Sequence, residues 1–255
     1  MPEFACLVED DGKIHIVEVK DEVCKHKGLG VINFAQLLAD IEFGERIKIG
    51  NKSLTKIPPR LPELNRGMVR RAQTISPKDA GLFITKLGIG PGDVVVEAGI
   101  GSGGLSLHLA RVMGSSGMLI TSDNRDEHAE IGIENLKRAS KCFTEFPEHI
   151  HLSGSLEDVD LPVDSVDAVI LDMPNHEPAL RKMAPLLSPG GRIACYCPVS
   201  SQLETCMQVC EELGLKIDWA GELMERPWSR ANKGGVRPSN GPFGHTAFLM
   251  IAQRR

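Results

Sequence analysis

The sequence predicts an α/β protein with a mainly parallel sheet, helices on both faces of that sheet, and a small β-rich module before it. From about residue 75, apolar strand-like runs alternate with helical stretches, which is the pattern of a covered parallel sheet. Residues 1–70 instead contain short strand-like runs separated by turns, such as Asp10-Asp11-Gly12. We therefore divide the 255 residues into an N-terminal β-rich module, 1–70, and a larger domain, 71–255.

The elements of the larger domain follow in order along the chain. Ser76-Pro77-Lys78-Asp79 predicts a helix start, with Ser76 as N-cap and Pro77 at the first helical position. The elements predicted after it are strand 94–97, helix 103–113, strand 118–122, helix 126–141, strand 149–153, strand 166–172, helix 177–187, strand 191–197 and helix 201–213. No helix separates the last two strand-like runs, 215–224 and 245–252, so we expect them to pair antiparallel.

Composition excludes several classes of protein. No apolar run reaches 18 residues, which argues against a membrane span, and the N-terminus lacks the basic and apolar regions of a secretory signal. The seven cysteines are odd in number and lack paired Cys-x-x-Cys spacing. We expect buried free thiols, no metal site and a cytoplasmic location.

Charge is unevenly distributed along the chain, although the net charge of −5 argues against indiscriminate nucleic-acid binding. Residues 51–86, which include Arg70 and Arg71, contain eight basic and two acidic residues. Residues 225–255 contain six basic residues and one acidic residue, whereas 121–222 contain 19 acidic and eight basic residues. The two basic segments could form one phosphate-binding face, but ordinary solvated surface charge explains them equally well.

A glycine-rich segment follows the first strand of the larger domain. Glu97 ends the strand, and glycine then occupies every second position before a helix, at Gly99, Gly101 and Gly103. This spacing differs from the Gly-x-Gly-x-x-Gly pattern that binds a dinucleotide pyrophosphate. A carboxylate before the glycines would repel a phosphate but could pair with a cationic ligand that carries an amine, such as S-adenosylmethionine. The alternative is a tight strand-to-helix turn without a ligand.

Two aspartates are predicted to face the same crevice. Asp123 follows Gly103 by 20 residues, the distance at which an acidic residue reaches the ribose hydroxyls of a bound nucleoside. Asp172 ends the fourth strand of the larger domain, and ligands of open α/β sheets bind at the carboxyl ends of strands. An acid at that point could accept a hydrogen bond from an amine of a substrate. Either aspartate could instead serve only as a helix cap.

Separated motifs along nearly the whole chain resemble the tRNA adenine-N1 methyltransferases that modify the T loop, in their bacterial and archaeal form. The more specific motifs are Arg71-Ala72-Gln73-x-Ile75-x-Pro77-Lys78-Asp79, and Arg237-Pro238-Ser239 followed by Gly244-His245-Thr246-x-Phe248-Leu249. The others are His26-Lys27-Gly28 with Gly30-Val31-Ile32, the loop Glu97–Gly103, Asp123-x-Arg125-x-x-His128-Ala129, and Leu171-Asp172-Met173-Pro174.

The resemblance implies a class I S-adenosylmethionine-dependent methyltransferase fold, Rossmann-like, acting on adenine 58 of tRNA, with adenine 57 a second target in archaeal members. It also implies a homotetramer. Asp172 is the expected catalytic residue, where it would orient the exocyclic amine of the adenine. The expected cofactor-binding residues are Gln73, Glu97, Gly99, Gly101, Ser102, Gly103, Asp123, Arg125, His128, Ser155 and Asp172.

The sequence departs from the family pattern at three points. Gly154-Ser155 stands where the family has Gly-Asp, so contact with the cofactor adenine falls to Ser155 or to a neighbour such as Glu157. The acid at the second strand is Asp123 and not the usual glutamate. Asn175-His176-Glu177 separates the two prolines of the catalytic loop, and the usual aromatic residue is absent.

Three other functions remain open at this point. A methyltransferase acting on a protein or small molecule, of the isoaspartate or precorrin type, would share the glycine loop but not the C-terminal motif. A noncatalytic tRNA-binding partner subunit would have a degraded glycine loop. A nicotinamide-dependent oxidoreductase is disfavoured by Glu97. Tyr196 could line the pocket or belong to the core, and we expect a structural role for His245.

Overall fold

The computed structural model describes residues 3–231, 234–239 and 244–255. The first elements along the chain are β1 (Phe4–Glu9), β2 (Ile14–Glu18), β3 (Val23–His26), β4 (Gly30–Asn33), α1 (Phe34–Leu37), β5 (Arg46–Ile49), β6 (Lys52–Ile57) and α2 (Leu61–Gly67). Four of these strands form an antiparallel sheet in the order β2-β1-β6-β5, and β3 pairs with β4 as a hairpin. Leu7, Phe34 and Leu54 lie in the core beneath this sheet.

The predicted turn between β1 and β2 is present. Gly12 has a φ of 84°, a backbone conformation that residues with a Cβ rarely adopt, which explains the Asp-Asp-Gly sequence. The four-stranded sheet ends at Ile57, and α2 lies between it and the first helix of the larger domain. The boundary at residue 70 remains a prediction.

The remaining elements are α3 (Pro77–Leu87), β7 (Val94–Ala98), α4 (Gly104–Met113), β8 (Met118–Asp123), α5 (Asp126–Ser140), β9 (Glu148–Ser153), β10 (Val166–Leu171), α6 (Glu177–Met183), β11 (Leu187–Cys197), α7 (Ser200–Glu212), β12 (Lys216–Gly221), β13 (Trp228–Arg230), β14 (Val236–Pro238) and β15 (Phe248–Gln253). Seven strands form the central sheet, in the order β12-β15-β11-β10-β7-β8-β9. The strands from β11 to β9 are parallel, and β15 is antiparallel to both β11 and β12. The predicted antiparallel pairing of the runs 215–224 and 245–252 is thus confirmed, as β12 with β15.

Helices cover both faces of the central sheet, as predicted. Phe83 of α3, Leu109 of α4 and Leu136 of α5 lie in one core cluster. Leu180 of α6 and Val209 of α7 lie in a second cluster. No helix among the described residues is long and apolar enough to span a membrane.

The main boundary error lies between α6 and β11. The predicted helix 177–187 ends at Met183 and continues only as a 3₁₀ turn, Ala184–Leu186. Pro185 has no N–H to extend the helical ladder, so the chain leaves the helix early. The strand therefore begins at Leu187, four residues before the predicted start at 191.

The order in which strands are added to the sheet reverses at β7. β8 lies on one side of β7 and β10 on the other, with Ala98 beside both Ser122 and Leu171. Such a switch point leaves a crevice at the carboxyl ends of the strands, where open α/β sheets bind ligands.

Candidate active site

The loop that follows β7 is held by the strands on both sides. The N–H of Gly99 donates to the carbonyl oxygen of Asp172 over 3.1 Å, and that of Ile100 donates to the carbonyl oxygen of Ser122 over 3.1 Å. Gly101 has a φ of +51°, and a Cβ on Gly99 would lie 2.8 Å from Oδ2 of Asp123. Glycine is therefore required by the fold of the loop, and the bare backbone remains open to a ligand.

Asp123 joins the second strand to this loop. Its Oδ2 accepts from the N–H of Gly101 at 3.0 Å, and its Oδ1 accepts from the N–H of Arg125 at 3.0 Å and from Nε of Arg125 at 3.2 Å. Burial favours the neutral carboxyl, but the hydrogen bonds from Arg125 and Gly101 outweigh burial and lower the pKa of Asp123. An ionised carboxylate thus lies at the end of β8.

Glu97 is a buried acid directly beneath the glycine loop. Its side chain is 2 % exposed, and its Oε2 accepts a hydrogen bond from Oγ of Ser106 at 2.6 Å. Burial, and then the nearby charges of Asp172 and Asp123, raise its pKa to about 8 against the opposing hydrogen bond from Ser106. Glu97 is therefore mostly neutral at pH 7 until a cation is brought close to it.

Asp172 follows β10 and is bonded to the loop after β7 by its backbone, since its N–H donates to the carbonyl oxygen of Ala98. Burial raises the pKa of its carboxyl to about 6, with a smaller contribution from Asp123, while His176 and Arg125 oppose the shift. The carboxylate is the major form at pH 7, yet it stays poorly solvated. A hydrogen-bond donor on a ligand would therefore stabilise this carboxylate.

Two adjoining cavities open at this edge of the sheet, with volumes of about 350 Å³ and about 370 Å³. Both are lined by Gly99, Arg125, Asp172, Met173 and Pro174. The first is also lined by Gln73, Glu97, Gly101 and Ser102, and the second by Asp123 and Ser155. Asp172 therefore lies at the junction of the two cavities.

Two predicted site residues lie outside the lining of both cavities. Gly103 precedes α4, and a Cβ there would lie 3.0 Å from the carbonyl oxygen of Gly132 on α5, so its role in this structure is close packing. His128 lies on α5, where its buried Nδ1 has no hydrogen-bond partner among the described residues. Cofactor contacts by these two residues remain predictions.

Ser102 lines the first cavity but also positions the chain before Gln73. Its Oγ accepts from the N–H groups of Arg71 and Ala72, at 3.1 Å and 3.0 Å. The segment 71–73 is thereby fixed against the glycine loop. This contact explains how a motif far from the glycines in sequence contributes to the same site.

Sequence reasoning did not identify several residues of the cavity lining. Ser122 lines the second cavity, and its buried Oγ has no hydrogen-bond partner in the part of the chain that the structure describes. Asn124 lies beside it and donates to Oγ of Ser155 at 3.2 Å. Gln202 of α7 lines the first cavity and donates to the carbonyl oxygen of Pro174 at 2.9 Å. In the sequence, only their position on either side of Asp123 could have indicated Ser122 and Asn124. No sequence feature indicated Gln202.

Three residues that the sequence left ambiguous lie outside both cavity linings. Tyr196 belongs to the core cluster packed with α3, α4 and α5. Nδ1 of His245 lies 2.8 Å from Oε2 of Glu222, a contact consistent with the expected structural role. Glu157, the alternative to Ser155, has a buried Oε2 without a partner among residues 3–231, 234–239 and 244–255.

Much of the positive charge in the two basic segments serves the fold. Lys56 is buried and donates to the carbonyl oxygen of Leu38 at 3.3 Å. Lys78 donates to Oδ1 of Asp79 at 2.6 Å and to Oγ1 of Thr246 at 2.7 Å.

In the C-terminal segment, Arg254 donates to the carbonyl oxygen of Pro185 at 2.8 Å. Lys233 lies outside the described residues. The exposed basic residues left for a phosphate-binding face include Arg66, Arg70, Arg71, Arg230 and Arg237. The phosphate-binding face remains a prediction, with fewer charges than the sequence alone indicates.

The polar groups of the two cavities suit S-adenosylmethionine. The second cavity offers the ionised Asp123 for ribose hydroxyls, together with the buried hydroxyl of Ser122. The first offers Glu97 for an amino group. Glu97 and Asp172 are two acids whose raised pKa values would fall beside a cationic ligand.

A protein-family model described as "tRNA methyltransferase complex GCD14 subunit" matches residues 57–231. A curated relative from Methanocaldococcus jannaschii, tRNA (adenine(57)-N(1)/adenine(58)-N(1))-methyltransferase TrmI, is 30% identical over 98% of this chain and 94% of its own length. A second, tRNA (adenine(58)-N(1))-methyltransferase TrmI from Thermus thermophilus, is 30% identical over 97% of this chain and 95% of its own length.

Among solved structures, an S-adenosylmethionine-dependent O-methyltransferase from Thermotoga maritima superposes with a TM-score of 0.81 and 25% identity, covering 100% of this chain and 94% of that chain. This similarity confirms the predicted class I methyltransferase fold with an N-terminal β-rich region.

Proposed function

The chain belongs to the GCD14 family of tRNA methyltransferases, and we propose that it transfers a methyl group from S-adenosylmethionine to N1 of adenine 58 in the T loop of tRNA. Its relative from Thermus thermophilus is named for position 58, and its relative from Methanocaldococcus jannaschii for positions 57 and 58. Adenine 57 is therefore the second candidate target.

The observation that carries this proposal is the position of Asp172. Its partly buried carboxylate lies where the two cavities meet, and its pKa is raised to about 6. The two cavities together can hold the methyl donor, and we place the acceptor base against Asp172, where the two cavities meet. A methyl donor and a ring nitrogen must be aligned in line, and fixed alignment is the main contribution of an enzyme to such a transfer.

When bound, S-adenosylmethionine would supply a methyl group activated by its sulfonium, and this group would pass to N1 as its bond to sulfur breaks. Asp172 accepts a hydrogen bond from the exocyclic amine, which orients the ring. The adenine becomes positively charged as N1 is methylated, and the adjacent carboxylate stabilises that charge. Glu97 would pair with the amino group of the donor, and Asp123 would accept from its ribose hydroxyls.

Adenine N1 lies on the Watson–Crick edge, which is masked in folded tRNA. The base must therefore be exposed before it reaches Asp172, at a cost of a few kcal/mol. Exposed arginines near the first cavity, Arg70 and Arg71, are suited to hold the phosphates beside the exposed base.

A methyltransferase that acts on a protein or a small molecule is the alternative, favoured by the similarity to the O-methyltransferase from Thermotoga maritima. The family match and the two tRNA-modifying relatives, which span nearly the whole chain, favour tRNA. The intact glycine loop, with an open cavity against Gly101, favours a catalytic chain over a noncatalytic partner subunit.

The test is incubation of the full chain with unmodified tRNA transcripts and methyl-labelled S-adenosylmethionine, followed by mass spectrometry of the nucleosides. We expect label in 1-methyladenosine, lost when adenine 58 is replaced by guanosine. Residual label in that transcript, lost on replacing adenine 57, would establish a second site. Label in the protein fraction or in small molecules, with none in tRNA, would support the alternative.

The proposal also includes the oligomeric state of the enzyme and its place in the cell. We propose that four copies assemble, because the resemblance to this family implies a homotetramer, and that the enzyme works in the cytoplasm. Light scattering coupled to size-exclusion chromatography should give four times the mass of the 27.7 kDa chain. A monomer mass at micromolar concentration would contradict the assembly.

A further inference from the structure

A cluster of three side chains that could bind a metal ion lies buried behind the loop that follows β10. His176, Cys197 and Cys206 each offer one ligand atom, and these atoms all lie within 4.8 Å of one another. Their residues are 3 %, 0 % and 1 % exposed. We call these three residues the thiol–imidazole cluster. Neither cavity lining includes them, so the cluster is separate from the site described above.

Three different elements bring the cluster together. His176 lies four positions after Asp172 and directly before α6, Cys197 ends β11, and Cys206 lies on α7. The ligands are too far apart in sequence to form a Cys-x-x-Cys pattern, which is why spacing alone predicted no metal site. His176 is also one of the residues by which this chain departs from the family's catalytic loop.

The distance between the two thiols matches that in a tetrahedral zinc site. The Sγ atoms of Cys197 and Cys206 lie 3.9 Å apart. Two thiolates bound to one zinc at about 2.3 Å each, at the tetrahedral angle, lie roughly 3.8 Å apart. The thiols therefore need almost no movement to bind a common ion.

The surroundings of His176 also suit a ligand. Its Nε2 lies 3.1 Å from the carbonyl oxygen of Tyr196, so Nε2 is the nitrogen that donates and Nδ1 keeps the free lone pair. Metal-binding histidines commonly donate their second nitrogen to a backbone carbonyl, which fixes the orientation of the ring.

The candidate for a fourth ligand lies on the same strand as Cys197. Cys195 is two residues before Cys197 on β11, so both side chains point to the same face of the sheet. Sγ of Cys195 is not among the ligand atoms that lie within 4.8 Å of one another, so this side chain would have to turn toward the ion to bind it. Cys210, one turn further along α7, is buried in the same core but is not needed for four ligands.

We propose that His176, Cys197 and Cys206, with Cys195 as fourth ligand, bind one Zn²⁺ ion. Each thiol that binds loses its proton to solvent, and the closed set of four ligands leaves no position for substrate. The ion would link the loop between Asp172 and α6 to β11 and α7, and so stabilise the position of that loop.

The experiment uses the full reduced chain, expressed with zinc in the medium and handled with a phosphine reductant. We expect close to one zinc per chain by mass spectrometry of the metal. Replacement by Co²⁺ should give the visible bands of a tetrahedral ion and a thiolate-to-metal charge-transfer band. Cys206→Ala and Cys197→Ala should weaken Co²⁺ binding at least tenfold, and Cys195→Ala should weaken it and alter the spectrum.

The matched control is Cys210→Ala, which removes a buried thiol from the same helix and should keep the wild-type spectrum. Wild-type protein without stoichiometric zinc, an octahedral Co²⁺ spectrum, or a disulfide between Cys197 and Cys206 in reduced preparations would overturn the proposal. No tRNA or methyl donor is present in these measurements, so their outcome is independent of the proposed methylation.

Discussion

Oδ2 of Asp123 accepts a hydrogen bond from the backbone N–H of Gly101 at 3.0 Å, which couples the end of β8 to the turn after β7. The same carboxylate holds Arg125 through its other oxygen. The two loops that line the crevice are thus fixed relative to each other, and a ligand meets a site that is already shaped.

Replacement of Gly101 by valine should abolish cofactor binding. A branched side chain is strained at a φ of +51°, and it would stand in the first cavity, which Gly101 lines. Calorimetry with S-adenosylhomocysteine should show no binding to Gly101→Val and normal binding to Gly90→Ala, a control glycine with open space around its Cβ. Wild-type protein that binds NAD but not S-adenosylhomocysteine would contradict the cofactor assignment.

Binding of the cofactor should release a proton from Glu97. Its pKa is raised to about 8, so the carboxyl is mostly protonated at pH 7, and pairing with an amino group favours the carboxylate. Affinity should therefore rise with pH up to about 8. Calorimetry in buffers of different ionisation enthalpy should show the release, which Glu97→Gln should remove.

Asp172→Asn gives a second measurement of proton release, which should fall but persist in this variant because the charge of Asp172 contributes to the raised pKa of Glu97. Because the pKa of Asp172 is about 6, its carboxyl is already mostly ionised at pH 7 and contributes little to the release. An unchanged buffer dependence in Glu97→Gln would show that another group loses the proton.

Asp172→Ala should lower single-turnover methylation of tRNA by roughly 10²–10⁴-fold, the usual scale for a positioned acid or base. Cofactor affinity should change little. Asp172→Asn should be less damaging if geometry dominates, and nearly as damaging if the charge of the methylated ring dominates. Near-wild-type rates in both variants would place the acceptor site elsewhere.

The pH profile gives a second measurement on Asp172. The carboxylate is the form that accepts a hydrogen bond and stabilises positive charge, and its pKa is raised to about 6. Single-turnover rates should therefore fall as the pH falls through about 6. Asp172→Asn should lose this acid limb, and its persistence in that variant would assign the limb to another group.

Charge reversal at Arg71 should weaken tRNA binding and leave cofactor binding intact. The side chain is 52 % exposed and pairs with Glu127, which is itself exposed, so its loss should cost the fold little. Arg70 is a poorer choice, because it donates to the carbonyl oxygen of Asn65 at 2.8 Å.

Affinity for tRNA should fall as salt rises, and Arg71→Glu should reduce the slope of log affinity against log salt by about one. Arg181→Gln, a surface arginine paired with Glu177 and Glu212, is the control and should bind tRNA like the wild type. Affinity that is independent of salt would remove the electrostatic basis of this prediction.

The sequence predicted what local patterns determine. Ser76 specifies the start of α3 because its side chain accepts from the N–H of Asp79, and Pro77 suits the first helical position. The alternation of strands with helices specifies a covered parallel sheet. Contacts between distant segments were not predictable. Gln202 reaches the crevice only because α7 packs beside the loop at Pro174, and the acceptance of two N–H groups by Ser102 depends on where residues 71–72 lie.

The same limit explains the basic segments. Lys56 and Lys78 count as positive charge in the sequence, but the fold engages both with acceptors of the chain itself. Composition records a charge and not its partner. For that reason the sequence alone overstates the positive charge that is left for phosphates.

The placement of β15 between β11 and β12 has a consequence for synthesis on the ribosome. β15 follows all the other strands in sequence, yet it fills an internal position of the sheet. A nascent chain that has emerged only as far as β12 cannot seat that strand, because its neighbour has not yet been translated. The sheet can be completed only after Phe248–Gln253 leaves the exit tunnel. A nonsense codon shortly before Phe248 should therefore yield an insoluble product, even though every residue of the crevice has been made.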